Sequence, residues 1–213
     1  RDLPSFPTRR SSDLKPHAAD AGLTKGRINE TGQTTSFGPG SDGDLERGLT
    51  RIFNDLGNGV VKDARTGLFW EKKSDDGSIH DKDTTYTWGQ IVSPYAMDGT
   101  MVTTFLAALN TAPCFAGYCD WRVPNIRELH SLVNYETFGP ATFSAFNTGV
   151  FNLGCFAGCT VLTCSCTVAG DYWSSSTSRI NTADAWYVWF DDGGGYYGRK
   201  ADDGYVRAVR GGL

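Results

Sequence analysis

Several features are scarce in this chain, and each scarcity removes a class of function. No apolar run approaches the roughly 20 residues that a membrane-crossing helix needs, so direct membrane insertion is not expected. Basic residues are in deficit, with 20 Lys and Arg against 24 Asp and Glu, a net charge of −4 and a pI near 5.3. A nucleic-acid binder needs a basic patch, and none is present. Histidine occurs only as His17, His80 and His130, placed in a tail, a polar loop and a helix without metal-ligand spacing. Ser174, Ser175 and Ser176 follow Trp173, but no G-x-S-x-G elbow, general base or orienting carboxylate accompanies them. No catalytic residue, resident metal or cofactor is therefore expected.

What is plentiful is glycine, aromatic side chains and cysteine. With 213 residues, 39% hydrophobic, 13% aromatic and 26 glycines, the chain can bury one good core and is too rich in Gly and aromatics for a helical bundle. Six cysteines point to an oxidising compartment, giving an extracellular, periplasmic or cell-surface expectation. Cys114 and Cys119 can close a short disulfide loop. Cys155, Cys159, Cys164 and Cys166 allow three pairings, and four thiolates could instead hold zinc. Their C-x3-C and C-x-C spacings and the lack of a local His favour disulfides.

Residues 1–14 resemble translated sequencing-adapter read-through and are set aside from fold reasoning. Residues 15–50 are poor in large apolar groups and read as a flexible linker or loosely docked arm. The domain is expected over 51–213. Leu56-Gly57-Asn58-Gly59, between two apolar stretches, signals a hairpin because Asn-Gly accepts positive φ. Leu68 to Glu71 reads as a third strand. Thr100 to Asn110 and Asn125 to Tyr135 carry helical stripes, the second opening with Asn125 as cap and Glu128 three positions on. Strands, two helices and strands again give an α+β fold, a twisted antiparallel sheet with two helices and long loops.

The C-terminal stretch is the most informative. In Ala185 to Phe190, period two puts Trp186, Val188 and Phe190 on one face and Tyr187 and Trp189 on the other. Trp70, Trp121, Trp173, Trp186, Val188, Phe190, Val206 and Ala208 are expected in the core. Tyr187, Trp189, Asp191, Asp192, Tyr196, Tyr197, Arg199, Asp202 and Asp203 are expected to form one recognition face, rigid aromatic area combined with directional polar groups. The four Asp could ligate calcium, but no EF-hand spacing occurs and Asp-Gly is ordinary turn chemistry.

Gly67-Leu68-Phe69-Trp70, the run from Phe115 to Leu129, Tyr172 to Ser176, Ala185-Trp186 and the run from Tyr205 to Gly212 together resemble the bacterial family named for the C-terminal domain of the Legionella collagen-like adhesin. The resemblance spans roughly residues 51–212. It implies a C-type lectin-like fold, related to that of formylglycine-generating enzymes, and a surface or secreted binding role toward a protein or glycan ligand. In the adhesin it implies glycosaminoglycan binding, which here meets an acidic chain. A second resemblance is to C-type lectin-like proteins diversified by retroelements, whose variable positions sample Asn, Asp, Tyr, Ser, Gly and Ala. Asn181, Tyr187, Asp191, Asp192, Gly194, Tyr196, Tyr197, Gly198, Ala201, Asp202, Asp203 and Gly204 fit that alphabet, and Trp189 does not. An enzyme on a formylglycine-generating-type scaffold or a structural envelope module are the alternatives.

Overall fold

A computed structural model describes residues 28–148 and 155–212. The 1–14 tail and residues 15–27 of the arm lie outside the described residues. Three strands come first, β1 (Phe53–Asp55), β2 (Val60–Asp63) and β3 (Phe69–Glu71), followed by the short β4 (Tyr86–Thr87). After the helices come β5 (Asp171–Thr177), β6 (Asp184–Trp189), β7 (Gly194–Arg199), β8 (Asp203–Gly204) and β9 (Val209–Arg210). They form sheets of order β1-β2-β3-β9, β4-β8 and β5-β6-β7, with antiparallel ladders throughout. The protein is α+β, with few and short helices.

The predicted first hairpin is present. Gly57 and Gly59 sit at φ of 72° and 89°, conformations that favour glycine, and Phe53 pairs with Asp63 across the ladder. Of the predicted C-terminal strand, only Val209 and Arg210 pair with β3, while Tyr205 makes a single bridge to Tyr172.

The helices are shorter than their stripes. After α1 (Asp42–Leu45) in the arm, the Thr100–Asn110 segment forms a π-helical turn, Met101–Leu106, that runs into α2 (Ala107–Asn110). Met101, Phe105 and Leu109 are buried, as the spacing requires. The second is α3 (Ile126–His130). Asn125 Oδ1 accepts from the N–H groups of Arg127 and Glu128, both at 2.9 Å, and Glu128 Oε2 accepts from the Asn125 N–H at 2.8 Å. Such a capping box satisfies helix-end donors that would otherwise lack partners.

Sheet β5-β6-β7 divides the apolar interior in two. Trp173 and Ala185 join Val60, Trp88, Phe105, Trp121, Val206 and Ala208 on one side. Tyr172, Val188 and Phe190 join Val61, Trp70, Leu129, Leu132, Phe146 and Val209 on the other. Each fully buried large side chain contributes about 1.5–3 kcal/mol relative to exposure. Trp186 is the exception to the expected core. It lies half-buried outside both clusters, its ring 5.3 Å from that of Tyr197. The position opposite it on β7 is a surface tyrosine, so Tyr197 covers Trp186 where the core does not.

Residues 28–50 lie against the domain. Asn29 and Leu49 bridge, the Tyr135 N–H donates to Thr31 O at 3.1 Å, and the Glu136 carboxylate accepts from the N–H groups of Thr34 and Thr35 at 2.8 and 2.9 Å. Three disulfides join Cys114 to Cys119, Cys155 to Cys166 and Cys159 to Cys164, the last nested within the second.

Candidate ligand-binding surface

The expected recognition residues fall on the β6–β7 hairpin and the loop after it, and β-strand alternation separates them. Tyr187 pairs with Tyr196 and Trp189 with Gly194 on one face, whereas Tyr197 lies opposite Trp186 and Arg199 opposite Asp184 on the other. On the first face the Tyr196 ring stands 6.1 Å from Tyr187 and 6.0 Å from Trp189. A single flat face is therefore corrected to a surface wrapping both sides of β7.

Exposure grades these residues. Trp189, Tyr196 and Tyr197 are 38%, 42% and 44% exposed. Tyr187 is half-buried and edge-on to Trp173, ring centroids 5.7 Å apart, so it belongs as much to the core rim as to the surface. Burial raises its phenol pKa, helped by nearby Asp171 and Tyr196.

The hairpin tip is held from below. Asp191 and Asp192 are exposed, yet the Asp191 carbonyl accepts from the Gly139 N–H at 2.9 Å. His130 Nε2 lies 3.1 Å from Gly193 O and 3.2 Å from the Tyr135 hydroxyl. Gly193 has φ of 81°, and a Cβ there would sit 2.5 Å from Val133 Cγ1, so the tip closes on the turn after α3 only with glycine. Asp192 orders the tip itself, accepting from Gly194 N–H at 2.7 Å and from the Tyr196 hydroxyl at 3.1 Å. That hydrogen bond raises the Tyr196 phenol above its usual value.

The other end is anchored by Lys200, which is buried. Its Nζ donates to Tyr95 O at 2.9 Å and Thr177 Oγ1 at 3.0 Å, and lies 3.9 Å from the Trp88 ring centroid. Burial lowers the Lys200 pKa, with Asp184 opposing. Asp202 and Asp203 are exposed just beyond it, next to the β4–β8 ladder. Gly204 cannot vary freely, since a Cβ would meet Trp173 Nε1 at 2.7 Å.

Residues 59–210 match the model of the Lcl C-terminal domain. This chain belongs to the Lcl C-terminal domain family. No curated protein matches it. In this Lcl C-terminal domain the β6–β7 hairpin, its tip and the loop carrying Asp202 and Asp203 all fall inside the matched span.

Two constellations escape a reading of this domain's sequence. A cleft of about 490 Å³ lies beside α3, lined by Glu30, Arg51, Arg127, His130, Ser131 and Tyr135 among others. Its walls come from the arm and the helix, which no local motif links. The second is a buried charge cluster. Glu71 Oε1 lies 2.7 Å from His80 Nδ1 and 3.4 Å from Lys73 Nζ, and its Oε2 accepts from the Ala208 N–H at 2.9 Å. Arg207 donates to Glu71 O at 2.8 Å. Burial pushes the Glu71 carboxyl up, but Lys73, His80 and the Ala208 N–H outweigh it, and the net pKa is lowered. Burial holds the Tyr86 phenol up at about 12, reinforced by Glu71 and Asp81. The signal available in sequence was the charged run Glu71-Lys72-Lys73 following an apolar strand, an odd place for charge to continue inward.

Proposed function

We propose that this domain is a secreted or surface-displayed ligand-binding module whose contact surface is the β6–β7 hairpin with its Asp-bearing ends. The observation that carries the reading is the hairpin itself. It holds Trp189, Tyr196 and Tyr197 exposed on a backbone fixed at one end by the Gly193 contact and at the other by Lys200. Rigid aromatics supply contact area at low entropic cost, which is how recognition surfaces are built.

A location outside the cytoplasm is supported by the adhesin-type family and the three disulfides. No described helix is long and apolar enough to cross a membrane. A C-type lectin-like architecture is part of the same proposal, supported by antiparallel sheets with two short helices between them. Asp191 and Asp192 at one end of β7 and Asp202 and Asp203 at the other outnumber Arg199, so the surface disfavours polyanionic glycans. Binding rather than catalysis is the proposed activity.

Retroelement diversification is proposed for the exposed subset Asn181, Asp191, Asp192, Tyr196, Tyr197, Ala201, Asp202 and Asp203. Gly204 is excluded by its contact with Trp173. A near-identical template repeat beside the gene, with adenines at those codons, is the expected observation.

The binding reading is tested on glycan and extracellular-protein arrays with the intact domain and with Trp189→Ala/Tyr196→Ala. The intact domain should select ligands that the double variant loses, while thermal unfolding stays nearly unchanged. Array binding identical in both proteins would remove the hairpin as the contact surface.

A further inference from the structure

β7 is an edge strand. The order β5-β6-β7 leaves it bonded on one side only, whereas the outer side of β5 is met by Tyr205 O and Pro124 O, which accept from Trp173 N–H and Ser175 N–H. Antiparallel hydrogen-bonded pairs alternate along a ladder. The Lys200 N–H donates to Ala183 O at 3.0 Å, which makes 183 and 200 a bonded pair. Continuing the register, Ala185–Gly198, Tyr187–Tyr196 and Trp189–Gly194 are bonded, and Asp184–Arg199, Trp186–Tyr197 and Val188–Gly195 are not. The carbonyls of Trp186 and Asp184 confirm this phase, because they accept from Ser174 Oγ and Ser178 N–H on the β5 side.

It follows that the backbone groups of Gly195, Tyr197 and Arg199 point away from β6. Only the Arg199 carbonyl is used, by the Asp202 N–H at 2.9 Å. Among the described residues nothing bonds the other five groups, and all three residues are exposed. Natural edges are usually blunted by Pro, Lys or a bulge. This one has no Pro or Lys and an unbroken six-residue register with β6.

Charge decides what fits. One end of β7 carries Asp191 and Asp192, the other Asp202 and Asp203, with Arg199 between. Antiparallel pairing with a second copy, centred on Tyr197, would set the Asp191-Asp192 tip of each copy against the Asp202-Asp203 loop of the other. Like charges would face each other at both ends. A strand with basic ends meets attraction at both.

We propose that the open edge of β7 takes an extended, cationic peptide segment of a partner protein as an additional strand. The inference rests on the hairpin being the contact surface and names its ligand class. Main-chain bonds to Gly195, Tyr197 and Arg199 provide affinity. Tyr196 flanks the added strand on one face, backed by Trp189 of β6, and Tyr197 on the other, backed by Trp186, which explains why the aromatic surface wraps around β7.

The probes are two synthetic twelve-residue peptides with an alternating Thr-Val centre, one ending in Lys pairs and one in Glu pairs. The Lys peptide should bind at least ~10-fold more tightly, weaken as salt rises, and slow amide exchange at Gly195, Tyr197 and Arg199. Tyr197→Pro removes an outward N–H without touching a β6 bond, and should lower affinity at least ~10-fold. Tyr197→Ala, which keeps the N–H, should lose less. If Tyr197→Pro does not fold, the exchange measurement on the unaltered domain decides alone. Equal binding of the two peptides, unchanged exchange at β7, dimerisation through β7, or selection of glycans only would overturn the proposal. Array ligands lost by Trp189→Ala/Tyr196→Ala but kept by Tyr197→Pro would leave the hairpin reading standing while the edge inference falls.

Discussion

In the middle of the first sheet, Glu71 is fully buried, and both carboxylate oxygens are met by Lys73, His80 and the Ala208 N–H. On the β6–β7 hairpin, three large rings stand about two-fifths exposed with glycines around them. The two regions reverse the usual placement of charge and apolar surface. In the first, ionic groups are tolerated because their geometry is completed inside the molecule. In the second, the rings pack on one another but leave surface uncovered, which is what a partner would cover. Stability should therefore respond to the first region and binding to the second.

The largest effect is expected from Glu71→Ala. It leaves Lys73 buried without its carboxylate and the Ala208 N–H without an acceptor, a change that costs about 3–5 kcal/mol when one member of a buried pair is removed. Urea unfolding should show this loss, while any hairpin ligand keeps its affinity for the folded fraction. A loss below ~1 kcal/mol would mean the cluster is hydrated and the contrast between the regions is false.

Acid should act on the same region. The Glu71 carboxyl is pushed up by burial but pulled further down by Lys73, His80 and the Ala208 N–H, so its folded pKa is depressed. Glu128 follows the same pattern, burial being outweighed by the Arg122 ion pair and the Asn125 N–H. A depressed carboxyl contributes stability that is present above its unfolded value, ~4.3, and is lost as pH falls through the folded value. Lys73 runs the other way: burial lowers it against the pull of Glu71, so its cost at neutral pH is relieved only as pH rises. Unfolding free energy measured from pH 7 to pH 3 should fall most steeply below ~4.3, and Glu128→Gln should flatten part of that fall. An acid limb identical in Glu128→Gln would remove that residue from the account.

Tyr187 and Tyr197 sharpen the boundary between the regions. Tyr187→Ala strips a half-buried ring from Trp173 and should cost about 1–3 kcal/mol of stability, whereas Tyr197→Ala uncovers only the rim of Trp186 and should cost less than ~1 kcal/mol. Thermal unfolding of both variants checks the ranking, and equal losses would show that β7 is part of the core.

Much of this was legible where the signal is local. The Gly57-Asn58-Gly59 turn and the Asn125–Glu128 capping box are set by residues a few positions apart, and both appear as read. Period two placed Val188 and Phe190 inward correctly. It also put Trp186 on their face, but whether a face is covered at a given step depends on the neighbouring strand, which a pattern cannot supply. The same limit hid the Glu71–Arg207 contact and the docking of Thr34 and Thr35 on Glu136, which join segments far apart in the chain. The single recognition face failed for a related reason. Contiguity in sequence was read as contiguity in space, while alternate residues of a strand face opposite ways.

The smallest stability effect should come from Tyr196→Phe, and it isolates how the tip is held. The hydroxyl donates to an exposed Asp192 carboxylate at 3.1 Å, and Asp192 also accepts from Gly194 N–H at 2.7 Å. Water replaces an exposed hydrogen bond at little cost, so the thermal unfolding midpoint should not move. Losing the hydroxyl frees the Tyr196 ring and leaves one Asp192 oxygen facing solvent. If the ring is a preorganised contact, ligand affinity should drop while thermal unfolding does not move. If affinity is also unchanged, the ring is held by Trp189 and Tyr187 alone, and the carboxylate is left available for the partner's own cation.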